Sequence, residues 1–233
     1  MLLAIDGAAV QLAAGQAGQG GRPGEGTLHR HQAGPVRLLT VDLGQEDHRA
    51  YYLGYSNGVL WPVCHYRLDL ADFDAGYIDG YRRVNQLFAR LLAPLLKPDD
   101  LVWVHDYHLI PLASELRALG CQQRIGFFLH IPLPPPMILA AIPGHDWLVR
   151  GLCSCDVVGF QSQTDHEHFC RYIQREALAH RAREAADQRI LRHREAGALA
   201  CPGEGREHVV AAALGHVRGH VIQEAALGVG LAL

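Results

Sequence analysis

Two short apolar runs, each turning abruptly polar at its end, constrain this chain more than any other feature. Leu101-Val102-Trp103-Val104 leads into His105-Asp106-Tyr107-His108, and Ile125-Gly126-Phe127-Phe128-Leu129 leads into His130-Ile131-Pro132. Runs of this kind, rich in β-branched and aromatic residues, read as buried parallel strands that deliver polar side chains to a crevice. Between them, apolar residues at Ile110, Leu112, Ala113, Leu116 and Leu119, followed by Gly120, spell a helix with its stop signal. In a strand, helix, strand unit the ligand lies beyond the carboxyl ends of the strands. Asp106 and His130, each at such an end, are therefore predicted to face one cleft.

The same alternation extends in both directions. Val36 to Leu43 reads as a strand and Gly44 to His48 as a polar break. Tyr51, Tyr52, Tyr55, Val59, Leu60 and Val63 have helical spacing interrupted at Ser56-Asn57-Gly58, which predicts a kinked helix or two short ones ending near Pro62. Tyr77 to Leu96 is an amphipathic helix closed by Lys97-Pro98. Pro132-Leu133-Pro134-Pro135-Pro136 predicts a stiff loop at the mouth of the cleft. Met137 to Ile142 and His145 to Leu152 are short helices, Asp156 to Phe160 is a third strand, and Asp165 to about Ile173 opens another helix. Together these predict an α/β fold with a parallel sheet and flanking helices.

The flanks are made of different material. All 17 aromatic residues lie between Tyr51 and Tyr172, and aromatics bury the largest apolar areas in ordinary cores. Residues 1–35 are dense in Gly, Gln and Pro from position 11 onward, which predicts a flexible or aberrant segment. Gly18-Gln19-Gly20-Gly21 is not followed by the Gly-Lys-Ser/Thr of a phosphate-cradling loop. Residues 36–176 form the expected domain, and 177–233 an atypical, poorly packed tail whose arginines and glutamates read as a solvated helix face. Its histidines, at 180, 193, 208, 216 and 220, lack the companions of a zinc site. One lysine, Lys97, stands against 20 arginines, a skew that GC-rich coding produces and that is compatible with a shifted reading frame at either end.

A net charge of -3 gives no electrostatic reason to expect nucleic acid or an anionic membrane as partner. The six cysteines show no zinc-type spacing and read as reduced thiols. Without a basic leader or a stretch near the roughly 18 apolar residues of a spanning helix, the expectation is a soluble cytoplasmic protein, and a homo-oligomer is compatible with it.

Ser56-Asn57-Gly58-Val59-Leu60-Trp61-Pro62 with His65-Tyr66-Arg67, then Val104-His105-Asp106-Tyr107-His108-Leu109-Ile110-Pro111, Arg124 through Pro132, and Gly159-Phe160-Gln161 closely resemble the trehalose-6-phosphate synthase family. The resemblance runs from about Val36 to about Glu176. It implies a retaining glycosyltransferase of the GT-B type, with two Rossmann-like domains facing across a cleft. Such an enzyme moves glucose from UDP-glucose, the donor substrate, to glucose 6-phosphate for trehalose biosynthesis, with no metal or other cofactor. This chain would be most of the acceptor-side domain, its partners a sugar phosphate and a nucleotide sugar.

Carried over by that resemblance, Tyr52 looks like a tyrosine that helps hold the acceptor and Trp61 like the aromatic wall of the acceptor pocket. Asp106 is similar to a carboxylate contacting the sugars and His130 to a histidine beside the donor glucose. The chemistry agrees, since an ionised Asp accepts strong hydrogen bonds from sugar hydroxyls and an indole face stacks on a pyranose. Plainer readings stand beside these. Tyr52 and Trp61 could be core aromatics, Asp106 a helix N-cap, and His130 a strand-end histidine satisfied by backbone. Residues 1–35 hold no counterpart of the family's phosphate-gripping arginine, and the diphosphate-binding arginine and lysine of its donor domain have none either. The expectation is a truncated enzyme inactive alone. The alternatives are a non-catalytic sugar-phosphate-binding or assembly module and, less favoured, a metallohydrolase built on Asp106, His108 and His130.

Overall fold

The computed structural model describes residues 3–4, 10–14, 22–33 and 36–176. In chain order these form β1 (Leu3–Ala4), β2 (Val10–Ala14), β3 (Gly26–Ala33) and β4 (Val36–Leu43). A continuous helical run follows, made of α1 (Gln45–Asp47), a π-helix (His48–Leu60) and α2 (Trp61–Cys64). Then come α3 (Ala75–Leu92), β5 (Leu101–His105), α4 (Leu112–Ala118), β6 (Arg124–Phe128), α5 (Pro136–Leu139), α6 (His145–Leu152) and β7 (Val157–Gly159). Residues 163–176 are helical and are called α7.

β5, β6 and β7 are parallel neighbours, as their apolar runs and intervening helices predict, and β1 adds to the free side of β5 in the antiparallel sense. The register sets His105 opposite Phe128, and the N–H of Asp106 donates to the carbonyl of Phe128 at 2.8 Å. Asp106 therefore continues the ladder at the point where both strands end. α4 stops at Gly120, whose φ of 84° is the left-handed conformation that a side chain disfavours.

α3 fills the layer over the helical run. Asp74 caps it by accepting from the N–H of Gly76 at 2.7 Å. Its apolar stripe, Tyr81, Val84, Phe88 and Leu92, is fully buried. Burial of each such side chain stabilises by about 1.5–3 kcal/mol. Gly80 lets the two helices touch, because a Cβ there would stand 2.3 Å from the Cβ of Ala50. The core is one cluster running from Leu39 and Val41 of β4 through α3 and the parallel strands to Phe169 and Tyr172.

Two expectations are corrected. Residues 11–35 read as a flexible segment, yet β3 pairs with β4 along its whole length, from Gly26 opposite Leu43 to Ala33 opposite Val36, and β2 lies parallel to β4 on its other side. Backbone pairing needs no apolar side chains, and Leu28 is the single large apolar residue of β3, so the composition hid it. The proposed break at Ser56-Asn57-Gly58, and the polar break before it, are instead inside one helical run from Gln45 to Cys64. Bonds from residue i+5 to i, such as the N–H of Trp61 to the carbonyl of Ser56, carry the helix through the glycine.

No helix among the described residues is long and apolar enough to cross a membrane. The five described cysteines, 64, 121, 153, 155 and 170, are free thiols. The Gly18-Gln19-Gly20-Gly21 stretch, the tail 177–233 and its histidines lie outside the described residues.

Candidate functional site

Asp106 occupies an unusual backbone position. Its φ of 75° and ψ of 165° fall in a region that is essentially restricted to glycine. A non-glycine residue held there stores on the order of 1–3 kcal/mol and persists only where its surroundings over-determine it. Here two bonds do so. Oδ1 of Asp106 accepts from the N–H of Tyr107 at 2.9 Å and from the N–H of His130 at 3.3 Å. Oδ2 makes no hydrogen bond among the described residues. Asp106 is thus an N-cap, of a short 3-10 turn (Tyr107–Leu109), and also the link between the two strand ends.

His130 is held at three points. Besides the bond to Asp106, its carbonyl accepts from Nε2 of Gln161 at 2.7 Å, and its ring lies against that of His105. Its side chain is otherwise exposed.

The helical run supplies the aromatic side. In an α-helix of 3.6 residues per turn, Tyr52 and Trp61 would be two and a half turns apart and face opposite ways. In the wider i+5 winding they are close to two full turns apart. The accessible positions of this run follow that period: Tyr52 and Leu53, then Asn57 and Gly58, then Trp61, then His65. Tyr52 and Trp61 are 40% and 41% exposed, which answers the reading of both as core aromatics. Tyr52 stacks on His108 at 5.4 Å and 14°, and Trp61 on His65 at 4.2 Å and 28°. Between them Oδ1 of Asn57 accepts from the hydroxyl of Tyr107 at 2.8 Å. The stripe is thereby tied to the turn that carries Asp106.

The electrostatics favour neutral rings around one carboxylate. Burial pushes the pKa of His108 down to about 4, only partly opposed by the charge of Asp106. His105 is lowered as well, by burial first and then by the neighbouring charge of His130. Burial, with Asp106 second, pushes the Tyr107 hydroxyl up to about 12, so it stays protonated and donates to Asn57. A carboxylate with an unengaged oxygen, a ring nitrogen and exposed aromatic faces can accept hydroxyl protons and cover the C–H face of a sugar.

Asp106 and His130 are brought into direct contact, and Tyr52 stacks on His108, two residues after Asp106 in sequence. Trp61 shares the stripe with Tyr52 but makes no hydrogen bond or ring contact to the other three. The metal set of Asp106, His108 and His130 is not assembled: His108 lies beneath Tyr52, and among the described residues no three His, Cys, Asp or Glu surround a common point. Asn57, Gln161 and His105 were missed as supporting residues. All three lie in the motifs already singled out, but their partners are 50, 31 and 25 residues away in sequence. The signal for His105 was its place beside Asp106 on a strand whose neighbour ends in His130.

The family model described as glycosyltransferase family 20 matches residues 23–193. A trehalose-6-phosphate synthase of Sinorhizobium fredii is 52% identical over 151 residues, which are 65% of this chain and 32% of that protein. Among solved structures, an α,α-trehalose-phosphate synthase (UDP-forming) from Burkholderia xenovorans in complex with glucose-6-phosphate superposes with a TM-score of 0.65 at 47% identity. The match covers 70% of this chain and 36% of that one. An E. coli trehalose-6-phosphate structure bound with UDP-2-fluoro glucose gives 0.64 at 44% identity, covering 70% and 36%. The chain thus spans about a third of the length of the relatives it matches.

Proposed function

Because this chain belongs to glycosyltransferase family 20, we propose that it carries the acceptor-side part of a retaining transferase that moves glucose from UDP-glucose to glucose 6-phosphate in the cytoplasm. The observation that carries the reading is Asp106. A carboxylate fixed at a parallel strand end, in a backbone conformation that costs energy and with one oxygen unengaged among the described residues, supports the reading of Asp106 as a sugar-hydroxyl acceptor. His130 beside it, and Tyr52 and Trp61 on one exposed stripe, supply the remaining contacts. In this reading Asp106 and His130 meet the sugars at the reacting end, while the two aromatic faces wall the acceptor.

No metal enters the proposed step. Hydrogen bonds from the acceptor hydroxyls to Asp106 orient the attacking oxygen, and stacking excludes water from one ring face. Stabilisation of the departing diphosphate belongs to cationic groups, whose removal typically costs 100- to 1,000-fold for each preorganised donor. Among the described residues no arginine or lysine side chain hydrogen-bonds to Asp106 or His130, and the reading for this part of the enzyme is acceptor binding.

Amide and indole shift mapping on the labelled chain tests the reading. Adding glucose 6-phosphate should move the signals of Tyr52, Trp61, Asp106 and His130 together and saturably. Shifts confined to other surfaces, or none, would contradict it. A non-catalytic binding module uses the same contacts and is separated by turnover, not by binding.

A further inference from the structure

His105 closes β5 immediately before Asp106, and its ring is half-buried between aromatic neighbours. Nδ1 of His105 lies 2.8 Å from Nε2 of His130, with the rings stacked at 5.0 Å and 27°. Trp103 meets the His105 ring at 6.3 Å and 66°, and Phe128 meets the His130 ring at 4.7 Å. The main chain of His130 is fixed on both sides, through its N–H to Asp106 and through its carbonyl to Gln161. Among the described residues its imidazole therefore has one polar contact, His105.

Two imidazole nitrogens at this distance must share one proton, because paired lone pairs or paired N–H groups repel. The tautomers of the two rings are consequently coupled. If Nε2 of His130 carries the proton, Nδ1 of His105 is bare and both rings adopt the Nε2–H form, the more stable one for free histidine. The reverse direction would force both rings into the less stable Nδ1–H form at once.

We infer that His105 is a positioning residue: its Nδ1 accepts from Nε2–H of His130, which leaves Nδ1 of His130 as a fixed acceptor for a hydroxyl in the cleft. No described residue bonds that Nδ1. That the hydroxyl belongs to a sugar rests on the proposed function. The pairing does not, and it stands or falls whether or not glucose 6-phosphate or UDP-glucose binds.

The test is histidine-selective nitrogen NMR on the whole chain near pH 8. Through-hydrogen-bond coupling between Nε2 of His130 and Nδ1 of His105 is expected, with Nδ1 of His130 at the shift of an unprotonated nitrogen. His105→Asn, whose Oδ1 takes the place of Nδ1 as acceptor, should keep His130 in that form. His105→Phe should let both tautomers appear. Absence of the coupling in the unsubstituted chain, a protonated Nδ1 on His130, or an unchanged tautomer in His105→Phe would each overturn the inference. Should the phenylalanine variant fail to fold, the coupling in the unsubstituted chain decides alone. A chain with the coupling intact but no sugar binding would count against the proposed function only.

Discussion

The backbone N–H of His130 donates to Oδ1 of Asp106 at 3.3 Å, joining the ends of two parallel strands through a side chain that also caps the turn after the first. The cap and the strand link thus hold Asp106 at a φ of 75°, where glycine would be at ease. This makes strain and function separable by substitution. Asp106→Ala loses both bonds and keeps the strain, whereas Asp106→Gly loses the bonds and relieves it. Urea unfolding should find the glycine variant more stable than the alanine variant by about 1–2 kcal/mol. Equal stabilities would mean that Asp106 is not strained.

Acid should weaken the fold through His108. Its pKa falls from the ordinary histidine value in the unfolded chain to about 4 when buried. Between those values the unfolded state holds more protons, so stability is lost as pH drops from about 6.5 and levels off below about 4. Between pH 7 and pH 5 the loss from this group is on the order of 2 kcal/mol, and His105, lowered in the same direction, adds to it. Denaturation of His108→Phe at both pH values should show a smaller difference. An undiminished one would mean that other groups carry the acid sensitivity.

Asp47 is fully buried. Its Oδ1 receives Nη2 and Nε of Arg83 at 2.8 and 3.1 Å, and its Oδ2 the N–H of Gly24 at 2.5 Å. Removing the guanidinium leaves a buried charge unpaired, so Arg83→Met should destabilise by about 3–5 kcal/mol. Adding Asp47→Asn should return a large part of that, since the amide needs no counter-charge. A double variant no more stable than Arg83→Met would show that the loss came from packing.

How far the sequence could be read follows from which physical signals are local. Val102, Val104, Ile125 and Phe127 are buried in adjacent parallel strands because their apolar runs could bury nowhere else, and the polar residues after each run then had to meet. The stripe of α3 was equally legible, through Tyr81, Val84, Phe88 and Leu92 at helical spacing. The i+5 winding was not. Ser56-Asn57-Gly58 reads as a break by propensity, and contacts distant in sequence, among them Gly54 against Tyr77, Ala50 against Gly80 and the Tyr107 hydroxyl on Asn57, accompany the helical winding there. β3 was hidden because Thr27, His29 and His31 give no apolar face. The His105–His130 contact was hidden because it depends on strand register.

The proposed contacts all lie on the acceptor side, and they predict binding without transfer. A coupled assay for UDP release with both substrates should stay at background, with Asp106→Ala as control. Turnover that vanishes in that variant would show that the contacts present here are sufficient for the chemistry.

Calorimetric titration of glucose 6-phosphate into the chain and into Asp106→Gly tests most directly the claim that the strand-end carboxylate and the aromatic stripe form a sugar-phosphate site. A saturable isotherm is expected for the unsubstituted chain, weakened by about 10- to 100-fold in the variant, the loss of a hydrogen bond to a charged group worth about 1.5–3 kcal/mol. A flat isotherm for the unsubstituted chain, or equal affinity in a folded Asp106→Gly, would contradict it.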